Sequence, residues 1–170
     1  MMRSRDFMFM DVYSVAGQRI GRVEDILLDC NRGVIEGFKI IKGKVFNKTL
    51  YISKKDTICI SSKIIVKEIY FLNNFIEFKK IRGRETVDIH GLLLGMLEEI
   101  IFDEMNFKIK GLIISKGLIG NLISGKRVIL QGNYILGEKN LMCLSNDEKF
   151  NFVRMFHNIT MEVDNDENDI

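Results

Sequence analysis

Gln18 to Asp29 alternates apolar and polar positions before closing on the apolar run Ile26-Leu27-Leu28. Its β-branched residues and its lack of helix caps predict a strand. Leu92 to Asp103 is more apolar, and its Leu, Met and Glu also suit a helix. A turn candidate follows each stretch, Cys30-Asn31-Arg32-Gly33 or Glu104-Met105-Asn106, in which Gly33 or Asn106 can take the positive φ of a hairpin turn. The chain then returns as Val34 to Ile41, or as Lys108 to Ile114. In the second return Ile109, Gly111 and Ile113 share one face, and Lys108, Lys110 and Leu112 the other. Short strand pairs finish each half, around Leu50–Ile52 and Ile58–Val66, and around Val128–Leu130 and Ile135–Leu144.

The two halves are copies. Gly17, Gly21, Glu24, Ile26 and Asp29 recur 74 positions later as Gly91, Gly95, Glu98, Ile100 and Asp103. The same offset carries Gly37 onto Gly111, Ile40 onto Ile114, and Lys42-Gly43 onto Lys116-Gly117, and it places Asn47 on Asn121. Three extra residues in the second copy then move the offset to 77, so that Tyr51-Ile52 falls on Val128-Ile129. The repeat decides the ambiguous segment: 92–103 is expected as a strand, because its counterpart is one. Two small β-barrels in tandem are expected, 1–77 and 78–144, each closing on itself. Glycines at their corners and bulges would allow sharp bending and close strand approach. Gly17-x-x-x-Gly21 has no following Lys-Ser/Thr pair and no helix N-terminus, so a phosphate loop is not expected.

The pattern Gly-x-x-Ile/Leu-Gly-x-Val/Leu-Glu-Asp/Glu-Ile-x-x-Asp, followed by a turn and Gly-x-x-Ile, resembles the signature of the PRC-barrel family. That family is named for the cytoplasmic domain of the photosynthetic reaction centre H subunit. The C-terminal barrel of a ribosome maturation factor and small sporulation-associated proteins of Gram-positive bacteria are similar to it. The resemblance covers about 6–70 and 80–144, implies the small-barrel fold and a bacterial source, and specifies a fold better than a job.

Composition narrows the function classes. The 170 residues include no Pro and no Trp, which excludes Pro-rich recognition segments. No apolar run reaches the roughly 20 residues needed to span a bilayer, and the N-terminus is a poor secretory signal. Cys30, Cys59 and Cys143 are odd in number and widely spaced, which suits reduced thiols. A cytoplasmic protein without membrane insertion is therefore expected. The 25 bases face 23 acids, but Glu162, Asp164, Asp166, Glu167 and Asp169 crowd the end. Residues 1–161 thus hold 25 bases against 18 acids, a net +7, ahead of an acidic and disordered tail. Before it, 145–156 has a helix-start pattern, with Ser145 or Asn146 as cap and Phe152, Val153 and Phe156 at helical spacing. A short terminal helix packed back on the barrels is expected there.

Chemistry is sparse. His90 and His157 stand apart from Cys, His or acids at metal-ligand spacing. Cys59 aligns with Leu136, a small apolar position rather than a reactive thiol. The repeated acids Glu24, Asp25 and Asp29, with Glu98, Glu99 and Asp103, form the best polar constellation. Strict alternation would send Glu24 and Asp29 to opposite faces, so the aspartates are expected to close turns and the glutamates to pair with bases or solvent. No catalytic residue, metal ligand or cofactor is expected, and no enzyme.

Two surfaces remain. Lys116 to Lys126 sets Leu118, Ile119, Leu122 and Ile123 among glycines. Exposed, these aliphatics would be costly, so the expected loop folds over a barrel end, caps the contact between barrels, or docks on a partner. Lys79, Lys80, Arg82 and Arg84 at the junction are either a charged defence of an edge strand or an RNA-phosphate contact. The sequence therefore points to a non-catalytic protein-interaction or adaptor module, with an RNA- or ribosome-associated accessory factor as the alternative. A protein partner, an RNA partner and a homo-oligomer all stay open.

Overall fold

The computed structural model describes residues 1–42, 48–67, 75–144 and 151–152. In chain order these form β1 (Met2–Arg3), α1 (Ser4–Phe7), β2 (Asp11–Ser14), β3 (Arg19–Asp29), β4 (Val34–Lys42), β5 (Lys48–Ser53), β6 (Thr57–Ile60) and β7 (Ile64–Val66). The second half continues with β8 (Ile76–Glu77), α2 (Phe78–Ile81), β9 (Glu85–Val87), β10 (Leu93–Phe102), β11 (Ile109–Ser115), α3 (Gly117–Ser124), β12 (Lys126–Leu130), β13 (Tyr134–Leu136), β14 (Leu141–Cys143) and β15 (Asn151–Phe152). The protein is mostly β, and 93–102 is a strand as the repeat required.

Two sheets share one design. The first runs β5-β4-β3-β2-β7-β6, and the second runs β12-β11-β10-β9-β14-β13 with β15 added beyond β12. In both, the β2 or β9 strand lies parallel to the last strand of its copy, Val12 opposite Ile64 and Thr86 opposite Leu141. Each strand path is open at its ends among the described residues. The motif glycines allow each sheet to fold tightly. A Cβ on Gly21 would lie 2.3 Å from the Ile41 carbonyl oxygen, and one on Gly95 would lie 2.5 Å from that of Ser115.

The copies do not close on themselves. β1 pairs not with its own copy but with β10, setting Met2 opposite Phe102 and Arg3 opposite Ile101. β8, its equivalent in the second copy, pairs with β3, setting Ile76 opposite Leu28 and Glu77 opposite Leu27. These registers correspond residue for residue at the offset of 74, so the N-terminal arms are exchanged about a pseudo-two-fold axis. That axis passes where Val34 bridges Lys108, its own counterpart. Ile35 N–H donates to the Phe107 carbonyl at 2.9 Å, and Ile109 N–H donates to that of Gly33 at 2.8 Å.

Packing follows the exchange. One hydrophobic core runs through both copies, joining Val23, Ile26 and Phe38 to Leu97, Phe102 and Ile114. At its centre Phe7, from the first arm, lies 5.4 Å from the Phe38 ring and 5.1 Å from Phe102, and Phe107 closes the group at 6.1 Å from Phe38. The arms thus tie the two expected units together: the C-terminal end of each long interior strand, β10 or β3, pairs with the other copy's arm, and one cluster of buried residues spans both copies.

Three local expectations also change. In the second hairpin Phe107 (φ 60°), not Asn106, takes the left-handed conformation that Gly33 (φ 61°) takes in the first. A phenylalanine there is strained, and its place in the aromatic group and the bridge between copies holds it. Lys116 to Lys126 is mainly the helix α3 rather than a loop. The expected terminal helix falls mostly outside the described residues, and the two described positions, Asn151–Phe152, are a strand paired with Lys126 and Arg127. The acidic tail lies wholly outside them.

Candidate interaction surfaces

α3 is anchored through its polar side. Asn121 Oδ1 accepts from Lys116 N–H at 2.9 Å, and its Nδ2 donates to Ser115 Oγ at 2.7 Å, tying the helix to the end of β11. Gly117, Gly120, Asn121 and Ser124 occupy that side. Leu118, Ile119, Leu122 and Ile123 follow the i, i+1, i+4, i+5 spacing of the opposite face. They are 88%, 75%, 76% and 82% exposed, the most exposed group of large aliphatics on the described surface. Of the three arrangements expected for this stretch, folding over a barrel end and capping the contact between barrels are not what these exposures show. Met96 of β10, half exposed, lies opposite Ser115 of β11. From Lys116 to Arg127 there are three bases and no acid.

The four junction bases do not form one open basic face. Lys79 and Lys80 lie on α2 rather than on an edge strand. The Lys79 ammonium is 3.5 Å from Glu24, and that of Lys80 is 3.7 Å from Glu77. Arg84 donates to the Gly137 carbonyl at 2.7 Å, and Arg82 is exposed to solvent. Lys39 completes the cluster, 3.0 Å from Glu77 and 3.5 Å from Glu24. Burial pulls the Lys39 ammonium down, but its hydrogen bond to Glu77 and the charges of Glu24 and Glu77 outweigh that and hold it above its ordinary range.

The repeated acids divide in a way that alternation did not foretell. Bulges at Glu24 in β3 and at Glu98 in β10 shift the register and turn the next residues inward. Asp25 is fully buried and Glu99 nearly so. Asp25 Oδ1 accepts from Ile26 N–H at 2.9 Å, and its Oδ2 accepts from Lys79 N–H on the exchanged arm at 3.0 Å. Burial raises the Asp25 carboxyl above its ordinary range, against the lowering pull of those two amides. Glu99 is likewise raised by burial, with Arg5 of the other arm opposing at 3.3 Å. Asp29 and Asp103 close turns, accepting from Arg32 N–H at 3.0 Å and Met105 N–H at 2.9 Å. These acids hold the arms in place rather than lining a cleft.

His90 is exposed, and its backbone N–H donates to Asp88. His157 lies outside the described residues. Among the described residues no helix is long and apolar enough to cross a membrane.

Compared with known families, residues 1–72 match the model described as PRC-barrel domain. No curated protein matches the chain.

Proposed function

From the match of residues 1–72 to the PRC-barrel domain model, we propose that the chain is a duplicated PRC-barrel pair acting as a non-catalytic interaction or adaptor module. Its two copies work as one rigid body through their exchanged arms, and it docks a protein partner through α3. The observation that carries this reading is the outward face of Leu118, Ile119, Leu122 and Ile123. Burying such a side chain is worth about 1.5–3 kcal/mol, so leaving four on one helix face is costly unless something covers them. The helix is fixed by Asn121 on its other side, which presents the four as a preformed ridge.

The test is affinity capture from the native cell with nuclease treatment, using the whole chain and Leu122→Asp. A protein that survives nuclease and is lost with Leu122→Asp, while the variant melts like the parent, supports the reading. Capture that vanishes with nuclease and with Lys79→Glu/Arg82→Glu, but survives Leu122→Asp, replaces it with the RNA-associated alternative.

A further inference from the structure

We propose that the outer face of the first sheet, around Phe9, Tyr13, Arg22 and Lys63, binds single-stranded nucleic acid. The site is distinct from α3 and from the junction bases, and it goes beyond the docking reading rather than resting on it. Its first mark is Phe9. This residue is 69% exposed and sits in the left-handed region at φ 67°, which strains a side chain of that bulk. Its equivalent in the second copy is Gly83, with φ 83°. Both make the same turn: Phe9 N–H donates to the Val23 carbonyl at 2.9 Å, and Gly83 N–H donates to that of Leu97 at 2.7 Å. A glycine satisfies this turn without strain. The fold therefore does not explain the ring. Phe107, the other phenylalanine at positive φ, is buried in the aromatic group, whereas Phe9 is held out in water.

Cations surround that ring. The Arg22 guanidinium lies 5.7 Å from the Phe9 ring centroid, although the residue opposite Arg22 on β2 is Asp11. Asp11 is engaged instead by Arg19, whose Nε donates to it at 3.0 Å. Tyr13 shares the face of Asp11, two positions along β2, and stands opposite Arg19. The Lys63 ammonium is 5.3 Å from the Tyr13 ring centroid. Arg22 and Lys63 are exposed, and no salt bridge among the described residues engages them. One sheet face thus carries two rings, each with a cation over it, and its acid is already neutralised.

The second copy shows that the architecture needs none of this. At the positions of Phe9, Tyr13, Arg19, Arg22 and Lys63 it has Gly83, Val87, Leu93, Met96 and Asn140. The strand pairing is kept, with Leu93 opposite Val87 as Arg19 is opposite Tyr13. Every ring and every base is gone.

The chemistry of the first face selects its ligand. Rings spread on a sheet offer stacking surfaces to unpaired bases, and a guanidinium plane offers another. Phe9 and Tyr13 are four residues apart, so one extended strand of a few nucleotides reaches both. Arg22 and Lys63 then meet its phosphates. A duplex keeps its base faces stacked inside, and an acidic peptide would use the charges but not the rings.

Fluorescence anisotropy with the full chain and a labelled single-stranded RNA of about 12 nucleotides tests the site. Affinity should fall with salt at a log–log slope of about −1.4, the value for two phosphates. Phe9→Gly installs the second copy's residue and releases the strain, so it should melt close to the parent. It should nevertheless bind about 5- to 150-fold more weakly, the worth of one stacked base. Arg22→Met/Lys63→Asn should flatten the salt slope. Absence of binding by the parent, or equal binding by a folded Phe9→Gly, overturns the proposal. A loss seen only with Lys79→Glu/Arg82→Glu also overturns it and moves the nucleic acid to the junction. Equal competition by a duplex of the same length, or by polyglutamate, overturns it too, the latter in favour of an acidic protein. The site and the docking reading fail separately, because Leu122→Asp should bind the RNA like the parent and Phe9→Gly should capture the same protein.

Discussion

Asp25 and Glu99, each just after a bulge, occupy equivalent places, yet the two copies solve the same problem differently. Beside each, a strand amide, Ile26 N–H or Ile100 N–H, is met by a side-chain oxygen. In the first copy Asp25 itself accepts from Ile26, and with its second oxygen it accepts the Lys79 amide of the incoming arm. In the second copy Ser4 Oγ on the incoming arm accepts from Ile100 at 3.3 Å, leaving the longer Glu99 to meet the Arg5 guanidinium. One arm is thus held by a carboxylate reaching out to it, and the other by a hydroxyl it carries in. Duplication preserved the architecture and allowed the polar chemistry to diverge, because all that is required is that each buried donor find an acceptor.

The largest expected effect tests what both solutions serve, the joining of the copies. Phe7→Ala removes the ring that links Phe38 to Phe102 and should lower stability by about 3–5 kcal/mol. Urea unfolding should remain a single transition, since the core is shared, and two separated transitions would mean that the copies stand alone after all.

Next comes the asymmetry itself. Asp25→Ala strips acceptors from two backbone donors and should cost about 1–3 kcal/mol for each one left buried. Glu99→Ala should cost less than half as much, since no backbone donor among the described residues relies on it and the half-exposed Arg5 can turn to water. Ser4→Ala orphans one donor and should fall between them. Equal losses for Asp25→Ala and Glu99→Ala in denaturant titrations would erase the distinction.

A smaller effect appears with pH. Burial raises both carboxyls, so above the ordinary carboxylate range, about pH 4, the folded chain retains protons that the unfolded chain has released. Their contribution is complete below that range and is lost as pH rises through the raised values. Stability of the parent should therefore carry a component that falls as pH rises above about 4. Asp25→Asn should flatten it while keeping the Glu99 part, and an unchanged slope would remove Asp25 as its source.

The smallest effect concerns the bulge glutamates. Glu98 is met by Lys126 at 2.8 Å, whereas Glu24 is met by Lys39 and Lys79. Lys126→Ala should cost no more than about 1 kcal/mol, as half-exposed pairs do. A thermal melt showing more would place the second copy's pair on a par with the first copy's cluster.

The duplication, the strand character of 92–103 and the role of the motif glycines were legible because each depends on local spacing. Alternation marks a strand, and a glycine recurring at 21 and 95 marks the same close approach in both copies. The inward turn of Asp25 and Glu99 was not legible, since a bulge adds one residue to the count and inverts every face beyond it. Phe107 was missed for a related reason: its positive φ is enforced by the bridge to the first copy, while Asn106 looked the better local choice. α3 was hidden because its glycines read as loop, and its helix is fixed by Asn121 and Ser115 at the end of a strand.

The amino-acid order alone thus determined how many times the unit is written, which stretches become strands, and where they turn, all matters of propensity within a few residues. Only the tertiary structure decided which strand each arm completes, which acids lie inside and which aliphatics lie outside. The arm pairings and the anchoring of the buried acids depend on contacts between residues about 50 to 100 positions apart, and nothing in local periodicity distinguishes an arm folding onto its own copy from one that crosses to the other.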